Sequence, residues 1–78
     1  MRDEITAELD KLFEQMIAQQ RQRVLAHARR LNPKLTEDDI QQPQDFAELQ
    51  ASAEWQYEDG VLAGYCAAQA AVRAQLRR

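Results

Sequence analysis

The chain has 78 residues, 45% of them hydrophobic, a net charge of −3, one histidine and one cysteine. One domain fits that length. A disulfide within the chain is excluded, and a lone histidine gives a structural metal little support. Chains below roughly 80 residues seldom close a core unaided, so self-association is the route left open.

The first predicted element is a long helix over about residues 3–31. Ile5, Leu9, Leu12/Phe13, Met16/Ile17, Val24, Ala28 and Leu31 recur in steps of three and four, which places one apolar stripe along a helix. Asp3 and Glu4 suit its positive dipole end, and Arg29 and Arg30 its negative end. Asn32-Pro33 stops it, because the residue before proline is pushed out of the helical region.

Residues 32–52 form a connector too long for a plain helical turn, so it is expected to hold structure of its own. Thr36-Glu37-Asp38-Asp39 reads as a helix start capped by Thr36, and Asp45-Phe46-Ala47-Glu48 as a second start capped by Asp45. Leu35, Ile40, Phe46 and Leu49 then pin the connector to the main helices.

The second long helix is predicted over about residues 53–76, capped by Ser52 or, if Gly60 breaks it, by Asp59. Continuity with a kink is the favoured reading. Trp55, Leu62, Tyr65, Gln69, Val72 and Leu76 form its apolar line, while Gly60, Gly64, Ala67/Ala68 and Ala71 form a line of small residues. The fold class that follows is all-α: one domain over 1–78, a helical hairpin with a structured connector, dimerising into a four-helix bundle.

Charge is segregated into blocks. Residues 1–15 carry Arg2 and Lys11 against five acids, residues 16–35 carry five bases and no acid, residues 36–59 carry eight acids and no base, and residues 60–78 carry three arginines. A nucleic-acid patch on residues 16–35 is one reading. Helix-end charges and an acidic connector packed near the basic end of helix 1 are the simpler one, given the acidic balance and the absence of interleaved aromatics. Glu37-Asp38-Asp39 lacks the alternating ligands and glycine of a calcium loop. No glutamate has a histidine or glutamate three residues later, so bundle-metal catalysis has no support.

His27 lies beside the stripe of helix 1, facing the region of Tyr57 and Glu58 across a hairpin, and reads as a boundary residue rather than a base. Cys66 reads as a small apolar residue. Gln20 and Gln69 interrupt their stripes, either as register-setting buried groups or as stripe-edge groups reaching water. Gly60-x-x-x-Gly64 permits close helix approach, and on that reading Gly64→Ala destabilises the fold.

No family resemblance emerges, and no enzyme, cofactor, metal, nucleic-acid or membrane signature stands out. The expected function is that of a small non-enzymatic interaction or structural protein acting as a homodimer. Its helix-contact or interface residues are Phe13, Ile17, Gln20, Val24, Gly60, Gly64 and Gln69. The alternative is a small-ligand-binding or accessory subunit with a pocket under the connector lined by Leu35, Ile40, Phe46, Trp55 and Tyr57. A lone cysteine and the lack of any stretch near ~20 apolar residues make the cytoplasm the expected location.

Overall fold

A computed structural model describes residues 2–77. Of the described residues 84% are helical and none is in a strand, and the two long helices pack together as a hairpin. Helix α1 spans Arg2–Leu31, a short α2 spans Ala47–Gln50 and α3 spans Ala53–Leu76. Two 3-10 turns, Asp39–Gln41 and Pro43–Asp45, precede α2. At 1.5 Å per residue, the 30 residues of α1 span about 45 Å, close to the 47 Å length of the molecule.

Helix α3 runs unbroken through Gly60. Its cap is Ser52, whose Oγ accepts a hydrogen bond from the Trp55 amide at 3.1 Å. Gly60 and Gly64 are exposed, and a Cβ built on either meets nothing within 4 Å. The small-residue line is therefore not where α3 meets α1. That reverses the sign expected for Gly64→Ala within the chain, because an added methyl there only relieves the backbone entropy of glycine.

The connector is ordered by local polar contacts. Thr36 and Asp39 bond reciprocally: Thr36 Oγ1 accepts from the Asp39 amide at 3.3 Å, and Asp39 Oδ2 accepts from the Thr36 amide at 2.9 Å. The element that follows is a 3-10 turn capped at Asp38 without a side-chain bond, so Thr36 is not the cap of a helix. Asp45 is not a cap, contrary to expectation. It closes the second 3-10 turn, and α2 starts after Phe46 with no side-chain cap. Glu48 instead accepts from Asn32 Nδ2 at 3.3 Å, which ties α2 to the end of α1. Arg29 Nε donates to the Leu35 carbonyl at 3.0 Å, so that base holds the connector through a backbone oxygen rather than through an acid.

These ties place the core at one end of the hairpin. Val24, Ala28, Leu35, Leu49 and Trp55 are buried together, and Ile40, Phe46 and Leu62 pack against them. Toward the other end there is no third layer. Among the described residues the buried ones there are Ile17 and Gln69, while Ile5 is 56% and Leu12 51% exposed. A two-helix pair has nothing to lay over both of its faces.

Candidate functional site

Two apolar stripes run along α1. Phe13, Ile17, Gln20 and Val24 face α3, with Ile17, Gln20 and Val24 buried and Phe13 half-buried. Ile5, Leu9, Leu12 and Met16 form the second stripe, turned about 100° from the first because each residue advances the helix by that angle. In α3, Gln69 is buried in the inner line, and Val61, Tyr65, Ala68 and Val72 lie on its flank. Met16, Val61 and Tyr65 line one recess, which shows that the two flanking stripes share a side of the hairpin. A second recess continues along Ile5, Leu9 and Leu12. The result is one long apolar flank.

At its connector end the flank turns polar. Gln20 Nε2 donates to the Glu58 carbonyl at 2.8 Å and to Glu58 Oε2 at 2.9 Å. Arg23 completes a two-point clamp, Nε to Oε2 at 3.1 Å and Nη2 to Oε1 at 3.3 Å. Glu58 is only 7% exposed. The hydrogen bonds from Arg23, and then from Gln20, hold its carboxyl below the usual glutamate range, with a smaller pull from His27. A carboxylate so engaged is a poor proton donor near neutrality and works as a helix-to-helix tie. Gln20 is thus a buried register-setting group. A one-turn slip between α1 and α3 would break every one of these bonds.

The sequence places Glu58 only in the region opposite His27 and does not single out Arg23. The missed signal was spacing, since Glu58 falls between Trp55 and Leu62 on the inner line of α3. Gln69, its counterpart in the distal half, is 9% exposed, and its Nε2 has no hydrogen-bond partner among the described residues. At the open end, Arg73 forms an exposed two-point pair with Asp10 (2.6 and 3.0 Å) and reaches Glu14 at 3.1 Å.

The five residues proposed for a connector pocket do not line one cavity. Leu35 and Trp55 are packed in the core, Ile40 and Phe46 lie against it, and Tyr57 is 70% exposed on the polar recess beside Glu58. Cys66 is a half-buried free thiol. Among the described residues no group of three His, Cys, Asp or Glu side chains is placed to hold a metal ion, and no helix is long and apolar enough to cross a membrane.

No protein-family model, curated protein or solved structure matches this chain. Its function has to be read from its own surfaces.

The Glu58 tie makes a testable statement about pH. Its carboxyl has a lower pKa folded than unfolded, so its contribution to stability is complete above the unfolded value near 4.3 and is lost as pH falls below it. Urea unfolding measured from pH 6 to pH 2.5 should show a shallower loss of stability in Glu58→Gln than in the parent. Equal slopes would show that Glu58 is not an ionised tie.

Proposed function

We propose that this chain is a non-enzymatic interaction protein that works as a homodimer, two hairpins closing a four-helix bundle through the Ile5–Leu9–Leu12–Met16 and Val61–Tyr65–Val72 flank. The observation that carries this reading is the surface left uncovered. A compact monomer of 9.0 kDa exposes about 4,900 Å², whereas this chain exposes 5820 Å². The excess, roughly 900 Å², is close to the ~800 Å² that each partner contributes to a standard protein interface. The radius of gyration agrees, at 15.1 Å against about 11.5 Å for a compact chain of this length.

A second copy is the natural occupant because the flank is elongated and mostly apolar, as a bundle requires. Exposed apolar area of this extent costs about 25 cal/mol per Å² while it faces water. The acidic and basic rims, Glu4, Glu8 and Lys11 at one end and Arg23 with Glu58 at the other, border the stripe without crossing it. A cytoplasmic site belongs to the same reading and rests on the lone cysteine.

Light scattering at micromolar concentration tests the proposal. The parent is expected at twice the chain mass, and Leu12→Glu combined with Ile5→Glu at the chain mass with helical content retained. A parent that stays at 9.0 kDa and unfolds cooperatively removes the homodimer.

A further inference from the structure

On the opposite side of the hairpin, α1, the connector and α3 enclose a recess of 560 Å³ lined by Arg21, Glu37, Ile40, Gln41, Pro43, Asp59 and Leu62. Arg21 and Arg23 are two residues apart and so point roughly 160° apart around α1, which separates this recess from the flank that would meet a second copy. The recess shares no lining residue with the two recesses of that flank. Its volume falls within the range of small-ligand sites, about 300–1,000 Å³.

The floor is apolar and firmly held. Ile40 and Leu62 both pack against the buried cluster of Val24, Ala28, Leu35, Leu49 and Trp55. On the wall stands Asp59, half-buried and with neither a hydrogen bond nor an ion pair among the described residues. Burial pushes its carboxyl above the usual aspartate value. Glu37, also unpaired, lies on the connector side. Arg21 lines the recess but is not ion-paired to either acid, and being exposed it keeps its own hydration. The unmet demand is therefore on the anionic side: the Asp59 carboxylate has lost part of its water and received no partner among the described residues in return.

We infer that this recess binds a small alkylammonium ligand, its ammonium on Asp59 and Glu37 and its carbon chain on Ile40, Pro43 and Leu62. A short alkyl chain supplies the apolar contact that a bare cation lacks, and a primary ammonium offers three donors to two carboxylates. An alkyl carboxylate of the same length is the opposite case. It would satisfy Arg21 and leave Asp59 facing a second negative charge.

The probe is n-hexylammonium, titrated into the full chain and followed by amide chemical shifts. Saturable shifts are expected at Ile40, Asp59 and Leu62. Replacing one member of a charge-assisted pair should weaken the apparent affinity by about tenfold in Asp59→Asn and by less in Glu37→Gln. Both changes are near-isosteric at positions with some exposure, and far-ultraviolet circular dichroism verifies that each variant is folded. Hexanoate should produce no saturable shift at these amides. The inference is overturned if hexylammonium gives no saturable shift, if Asp59→Asn binds it as well as the parent does, or if hexanoate binds in its place. Each of these readings stands apart from the oligomeric state.

Discussion

Trp55→Ala is expected to cost about 3–5 kcal/mol of the stability of this protein. Trp55 is 1% exposed and is the largest side chain among the fully buried residues, packed with Val24, Leu35 and Leu49 where α1, the connector and α3 meet. Truncating a buried tryptophan costs about 3–5 kcal/mol, from lost transfer energy and the cavity left behind. A chain of this length holds roughly 4–12 kcal/mol in all, so the loss takes from about a quarter of it to the whole. Urea unfolding followed by circular dichroism measures the loss without relying on the tryptophan signal. Tyr57→Ala, two residues away but 70% exposed, should change stability by less than about 0.5 kcal/mol. A loss below 1 kcal/mol for Trp55→Ala would mean that the connector does not form the core described here.

The second large effect runs the other way. Gln69→Leu is expected to stabilise the hairpin by about 1–3 kcal/mol, because it removes a buried amide whose Nε2 has no acceptor and replaces it with an apolar group of similar size. Gln20→Leu should have the opposite sign, since Gln20 Nε2 is matched to Glu58 and its removal leaves that carboxylate with one donor fewer. Two glutamines at buried positions of facing helices thus separate on hydrogen-bond accounting alone. Denaturant midpoints of the two variants decide the matter. If Gln69→Leu lowers the midpoint, the amide has a partner that the single chain does not supply. Comparing the mass of parent and variant in solution would then show whether that partner is a second copy.

The parts of the fold legible in the residues were those governed by short-range backbone chemistry. Proline after Asn32 ends α1 at Leu31, Ser52 starts α3, and the Thr36–Asp39 pair closes a turn, each through contacts within four residues. Asp45 shows the limit of that reasoning. A capping residue has to sit at the position before the first helical turn, and the preceding 3-10 turn ending at Asp45 moved that position to Phe46. The candidate site was legible in part. The apolar positions of α1 were evident, but a stripe two residues wide does not say which edge meets α3 and which is left bare.

By itself the sequence determined the two long helices, their ends and their apolar periodicity, because hydrogen bonding along a helix and the steric rules of proline and serine act locally. Only the tertiary structure decided that Gly60 and Gly64 face outward, that Glu58 ties α3 to α1 through Arg23 and Gln20, and that Asp59 stands unpaired on the wall of a recess. Those outcomes depend on the rotation of α3 about its own axis relative to α1. That rotation is chosen by the burial of Trp55 against Val24 and the packing of Leu62 on the same cluster, contacts that reach more than thirty positions along the chain and that no local rule contains.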